Sequence, residues 1–264
     1  MTHDAEPSAR ADERPALVSR LAQPGVIALG VSLVALAVAG APYVTDGGPF
    51  GARVRAYLLE NPQILDEVVQ ARQLREQSMI TDQINQAASA NADLLAHDPR
   101  DPAVGPADAA VTVIEFFDYR CPGCKAVSAD VLRIVRANPD VRFVFKEWPI
   151  LDRGEDTTSN YAARAALAAH AQGRYLPVHQ ALMAAPALTP EEVDRVLEAN
   201  GGDLSGALAI LGADDTSRHL ADIQIAAETL RLQGTPTFLV NGRATDSIRP
   251  QDLAAAIAEA KRGA

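Results

Sequence analysis

Glu115–Lys125 reads EFFDYRCPGCK and holds both cysteines of the 264-residue chain, Cys121 and Cys124. Two cysteines spaced so closely can hold a metal ion, close a disulfide or pass electrons. The residues around them decide which. Upstream, Val111–Phe117 (VTVIEFF) is β-branched and aromatic, suited to a buried strand. Downstream, Val127, Val131, Leu132, Ile134 and Val135 recur at helical spacing until Asn138-Pro139 ends the run. Val141–Trp148 (VRFVFKEW) reads as a second strand. Strand, helix and strand in succession form a βαβ unit, with parallel strands and a right-handed crossover.

A Cys-x-x-Cys at the first strand–helix junction of such a unit is a thioredoxin-like redox motif. Cys121 then meets a helix N-terminus, where unpaired N–H groups and the helix dipole favour a thiolate. Pro122 suits the first helical position. Cys124 lies one turn later on the same side and is expected to be the less exposed. Cys121 becomes the attacking thiol and Cys124 the resolving one. A structural staple across so short a loop would remove little unfolded-chain entropy. Structural zinc needs a full tetrahedral ligand set. The chain has no second cysteine pair, and His3, His97, His170, His179 and His219 show no close pairing. Cu(I) suits soft thiolates and stays open as a ligand of Cys121 and Cys124. No other cofactor is expected.

The third landmark is QGTPTFLVNGR, Gln233 to Arg243. Thr237–Val240 reads as a strand and Asn241-Gly242 as a hairpin turn. Pro236, at the strand's start, fits an edge or a cis bond. A last helix with Leu253 and Ile257 inward closes the chain. Between Trp148 and Thr237 the chain is mainly helical and far longer than one crossover needs. Its helical stretches are YAARAALAAHAQ from Tyr161, YLPVHQALMAA, TPEEVDRVLEAN, LSGALAILG and DIQIAAETLRL.

From about residue 111 onward the chain resembles the DsbA-like thiol-disulfide oxidoreductases, a thioredoxin fold with an inserted helical domain. EFFDYRCPGCK, FVFKEWPIL, YLPVHQALM and GTPTFLVNG carry that resemblance, in that order. AYLLENPQILDEVVQA resembles the N-terminal segment of the ScsC branch, the suppressor-of-copper-sensitivity proteins. The resemblance implies that Pro236 is a cis-proline facing the redox pair, with Thr235 offering backbone to a substrate peptide. It implies that Glu115 is a buried carboxylate relaying protons beneath the site, with Lys146 as its partner. A threonine before the cis-proline resembles isomerases of this fold more than the dedicated oxidase. Implied partners are unfolded or misoxidised envelope proteins, a membrane redox protein, and further copies of the chain in a trimer. One departure stands out: Pro122-Gly123 lacks the histidine that steadies the thiolate in DsbA.

The N-terminal part reads as an address. Gly25–Val44 carries no charge, long enough as a helix to span a bilayer core. Arg10, Arg14 and Arg20 precede it, which keeps the N-terminus cytoplasmic and sends the rest across. The small-x-small run Ala37-Val38-Ala39 leaves a cleaved signal peptide as the rival to an anchor. Either reading exports the cysteines to an oxidising space, the periplasm, with the anchor in the inner membrane.

The layout expected is a cytoplasmic tail (1–23), a membrane segment (24–44), a helical spacer or oligomerisation segment (45–95) and a redox domain (96–264). The inserted helices occupy about 152–232 of that domain. In the spacer, Asn61 and Pro62 suit the N-cap and first position of a helix, and Asp66 and Glu67 complement its dipole. Leu58, Leu65, Val68, Val69 and Leu74 form an apolar face, and Ile80, Ile84, Ala87 and Leu94 continue a looser seam with Asn91. Residues 96–109, rich in Pro, Asp and Gly, read as a linker. With 24 basic against 34 acidic residues, a net charge of -10 and no basic run, nucleic-acid binding is not expected.

Overall fold

The structure, a computed structural model, describes residues 28, 30–36 and 49–263. The chain forms two compact units, one ending at Arg72 and one starting at Gln73. Among the described residues no helix is long and apolar enough to cross a membrane. Residues 28 and 30–36 are helical. The rest of the expected 24–44 segment, the tail 1–23 and His3 lie outside the described residues.

The first unit contains α1 (Pro49–Glu60) and the start of α2 (Gln63–Ala90). The expected role of Asn61 is corrected here. Its Nδ2 donates to the Tyr57 carbonyl at 2.9 Å, so it closes the preceding helix, and α2 begins at Gln63, one residue after Pro62. Leu65, Val68 and Val69 of α2 are exposed.

In the second unit five strands hydrogen-bond in the order β1-β3-β2-β4-β5. β2 (Thr112–Phe117) and β3 (Arg142–Glu147) are parallel, as a βαβ connection through α3 (Pro122–Ala137) requires. β4 (Thr237–Val240) runs antiparallel to β2, and β5 (Arg243–Ala244) pairs with β4. Asn241 and Gly242, at φ 45° and 80°, supply the two positive-φ positions that this tight hairpin demands.

The pleat divides the core. Val113 and Phe117 face one side, where they pack with Val127, Val131 and Val135 of α3 and with Leu253 and Ile257 of α9 (Pro250–Gly263). Ile114, Phe116, Val144 and Leu239 face the other side. There they meet Ile84 and Ala88 of α2, and Ile223 and Ala227 of the helix before β4.

Two boundaries differ from the sequence reading for that reason. The C-terminal half of α2 belongs to the second unit, because Ile84 and Ala88 join Ile223 and Ala227 over one sheet face. Residues 96–109 are more than a linker: β1 (Ala103–Val104) adds an antiparallel edge to β3, and Asp101 is buried.

The inserted helices are α4 (Thr158–Ala171), α5 (Tyr175–Ala184), α6 (Pro190–Ala199), α7 (Leu204–Leu211) and α8 (Asp214–Thr229). α4 is alanine-rich, and its Ala162, Ala165, Ala166 and Ala169 are fully or almost fully buried. Small side chains let α5, α6 and α7 all approach it. α4 starts three residues before Tyr161, and α8 starts at Asp214, well before the expected Asp222. Asp214 and Asp215 complement the dipole at that start.

Candidate active site

Cys121 occupies the N-cap of α3, with Pro122 opening the helix. Its backbone N–H donates to the Asp118 carbonyl at 3.1 Å, and its carbonyl accepts from Lys125 N at 3.0 Å. Both cysteines are free thiols. Cys121 keeps 8% of its surface and Cys124 none, so only one sulfur is open to attack another molecule.

Across from the pair, Thr235-Pro236 is a cis peptide. The Sγ of Cys121 lies 3.2 Å from the Thr235 carbonyl oxygen, to which the thiol donates when protonated. A Cβ on Gly123 would stand 3.3 Å from Pro236 Cδ and 3.7 Å from Cys121 Sγ. The missing side chain lets the proline close over the pair.

The two thiols are unlike. Cys121 is brought down to about 5, first because the Cys124 thiol donates to it. The Thr235 side chain and the N–H groups of Cys124 and Gly123 also favour the thiolate, against the cost of burial. These donors, at a helix N-terminus, take the place of the absent histidine. Cys124 is pushed far up, first because it donates to Cys121 and then because it is buried.

Glu115 sits on β2 with 5% of its surface exposed, and burial lifts its carboxyl to about 8. Its charge acts on Cys124, raising that thiol further. Lys146 is not its partner. Glu115 stands beside Phe145 in the parallel register, whereas Lys146 stands beside Phe116 and points to the opposite face. There its Nζ pairs with Asp101 at 2.5 Å, and Asp101 also lies 3.2 Å from Nε2 of His219.

Several residues around the pair escaped the sequence reading. Asp118, 2% exposed, accepts from Ile150 N, Leu151 N, Arg120 N and Ser159 Oγ at 2.7–3.0 Å. It ties the loop carrying Cys121 to the segment after β3 and to α4. Lys125 Nζ donates to the carbonyls of Leu182, Met183 and Ala185 at 2.7–3.3 Å, closing the C-terminal end of α5. A cation suits that end of a helix.

Beneath these, Glu147 Oε1 accepts from the hydroxyls of Tyr119 and Tyr175, both at 3.0 Å, and its Oε2 has no partner among the described residues. Burial raises Glu147 well above the usual carboxylate range. His179, whose Nδ1 lies 3.0 Å from the Tyr119 hydroxyl, is lowered to about 3 by burial and stays neutral. The only sequence signals were a polar residue ending a strand of hydrophobics and the spacing Tyr175 to His179 on one helix face.

Comparison with known proteins agrees with this geometry. A family model described as Thioredoxin matches residues 97–259, and one described as Copper resistance protein ScsC N-terminal domain matches 49–78. The crystal structure of a thioredoxin-like oxidoreductase from Silicibacter pomeroyi DSS-3 is similar at a TM-score of 0.58 and 38% identity. That match covers 63% of this chain and 95% of the other. ScsC of Proteus mirabilis in a transitional conformation matches at 0.60 and 25%, covering 81% and 95%.

Among curated proteins, 145 residues are 34% identical to Na(+)/H(+) antiporter NhaA 3 of Salinispora tropica, covering 54% of this chain and 22% of that one. The chain spans about a quarter of the length of the curated relatives it matches. With the family model covering the whole sheet, the redox pair, the cis-proline and the inserted helices, the chain belongs to the thioredoxin family.

Proposed function

We propose that this chain is an exported thiol-disulfide oxidoreductase that reshuffles or forms disulfides in envelope proteins, with isomerisation as its main reaction. The observation that carries the reading is the pairing of an accessible N-cap sulfur, Cys121, with a buried, protonated Cys124 opposite the Thr235–Pro236 cis peptide.

In the reductive half-reaction the Cys121 thiolate attacks one sulfur of a substrate disulfide. The Cys121–substrate bond forms, the substrate S–S bond breaks, and the departing thiolate takes a proton from water. Cys124 then loses its proton to the Glu115 carboxylate and attacks Cys121. The Cys121–Cys124 disulfide forms, the Cys121–substrate bond breaks and the second substrate sulfur leaves as a thiolate that takes a proton from water, so two electrons pass from protein to substrate. In isomerisation the freed substrate thiolate attacks elsewhere before Cys124 acts, and Cys121 is regenerated. Glu115, at about 8, can both accept and return a proton near neutral pH.

Thr235 before the cis-proline supports isomerisation, by the resemblance of a threonine there to isomerases of this fold. The exposed apolar face Leu65–Val68–Val69 supports self-association through the helical segment, as a trimer by resemblance to ScsC. The apolar run 24–44 and the periplasmic description of a thioredoxin-like protein from Salmonella enterica support a periplasmic site, with that run as inner-membrane anchor.

The test is refolding of scrambled ribonuclease by wild type and Cys121→Ser. A Cys121-dependent gain is expected. Oxidation of reduced ribonuclease without recovery of scrambled ribonuclease would replace isomerase by oxidase.

A second reading rests on the same donor pair. The low-pKa thiolate and its hydrogen-bonded neighbour fit a soft, low-coordinate Cu(I) ion, which Cys121 and Cys124 would hold. Titration of the dithiol protein against a Cu(I) chelator checks it, and binding equal to that of Cys121→Ser removes it.

A further inference from the structure

At the end of the sheet away from the cysteines lies a cavity of about 1020 Å³. The C-terminal half of α2, the segment after it, the first residues of β2 and β3 and the β4–β5 hairpin enclose it. All of these belong to the second unit. β2 begins at this cavity with Thr112 and ends at Phe117, shortly before Cys121. At about 3.3 Å per residue the strand separates the two places by roughly 17 Å. The cavity is therefore distinct from the redox site.

Its charges are unbalanced. Arg142, Arg243 and Asp82 line it, and none of the three forms an ion pair among the described residues. Lys146, on β3 and on the same sheet face as Arg142, has Asp101 as counter-ion. Arg142 has only an imidazole: its Nη2 donates to His97 Nδ1 at 3.1 Å, an acceptor that brings no negative charge. Its Nε is buried with no hydrogen-bond partner among the described residues. A buried cationic donor without an acceptor is costly, and an anion in the cavity would relieve that cost.

The lining also says which anion. Two guanidiniums against one carboxylate leave one net positive charge, which suits a monoanion better than a dianionic phosphate ester. A guanidinium's planar fork fits a carboxylate. The side-chain oxygens of Asn85 and Asn241 already accept from Ala244 N and Thr112 N, both at 2.8 Å, so they are not free to hold a cation. Ala88, Leu95, Ile114 and Val144 add an apolar surface beside the charges.

We propose that this cavity binds a small amphipathic monocarboxylate. Arg142 holds the carboxylate, Arg243 adds the second positive charge, and the apolar body lies against Ala88, Leu95, Ile114 and Val144. The site does not depend on the exchange reaction at Cys121.

Isothermal titration of the whole chain tests it, with octanoate as the probe. Hexanoate, octan-1-ol, octyl phosphate and a short apolar peptide with a free C-terminus serve as comparisons. Wild type is expected to bind octanoate saturably and about tenfold or more tighter than octan-1-ol. Affinity should rise from hexanoate to octanoate by up to about fourfold per buried CH₂. Arg142→Gln is expected to weaken octanoate binding about tenfold or more, and Arg142→Lys to weaken it less. Arg243→Gln alters an exposed residue, so it probes the site without touching the core, and is expected to cost about threefold. Arg195→Gln, on the exposed side of α6 outside the cavity, and Cys121→Ser should bind as wild type does.

Wild type that fails to bind octanoate below about 10 mM overturns the proposal. So do arginine variants that bind as tightly as wild type. Loss of binding in Cys121→Ser would place the ligand at the redox pair and overturn it as well. Octyl phosphate or the peptide binding more tightly than octanoate overturns the assignment to a small monocarboxylate.

Discussion

Replacing Glu115 by glutamine tests whether a buried, proton-holding carboxyl lies under the redox pair. Glutamine keeps the volume and removes the ionisation. Burial raises the folded-state pKa from 4.5 to about 8, so the folded protein holds this proton more tightly than the unfolded chain does. The stability this contributes is fully present below pH 4.5 and is lost as pH rises through about 8. The gap corresponds to an upper bound of about 5 kcal/mol, lost at about 1.4 kcal/mol per pH unit within that window.

Urea unfolding of wild type and Glu115→Gln at a series of pH values from 4 to 9, under reductant, measures it. The difference between the two proteins reports Glu115 together with its coupling to Cys124 and Glu147. Wild type should lose ground to the variant steadily across the window and level off above pH 8. A difference curve flat to within about 1 kcal/mol, or one rising with pH, would refute a carboxyl kept neutral by burial.

Alkylation of Cys121 against pH should have its midpoint at about 5. Cys124→Ala removes the largest cause of that value and should move the midpoint up toward 9, with Cys124→Ser moving it less because a hydroxyl still donates. Tyr175→Phe removes one of two hydroxyls donating to Glu147 and should cost about 1–3 kcal/mol by chemical unfolding. Glu147→Gln retains an acceptor for both tyrosines and should cost less. Leu65→Arg with Val69→Arg in the whole chain should abolish self-association by light scattering if the exposed face of α2 is its contact.

The sequence by itself determined the parts of this protein that rest on local pattern. A β-branched strand, a Cys-Pro-Gly-Cys at a helix start and a second strand define a parallel unit, because side-chain period and chain reach allow little else. Asn241-Gly242 fixed the hairpin for the same local reason. The tertiary structure decided which groups meet. Glu115 and Lys146 are near in the fold yet face opposite sides of the sheet. That depends on the register between β2 and β3, which packing sets and one slipped residue would invert.

The buried group of Tyr119, Glu147, Tyr175 and His179 comes from a loop, a strand and an inserted helix that no spacing links. The second half of α2 looked like part of a spacer because its apolar residues are few. Ile84 and Ala88 join Ile223, Ala227 and Leu230 over one sheet face, which packs that half of α2 into the second unit. Burial against a distant surface is a property of the folded chain, and it placed the proton-holding Glu115 carboxyl beneath Cys124.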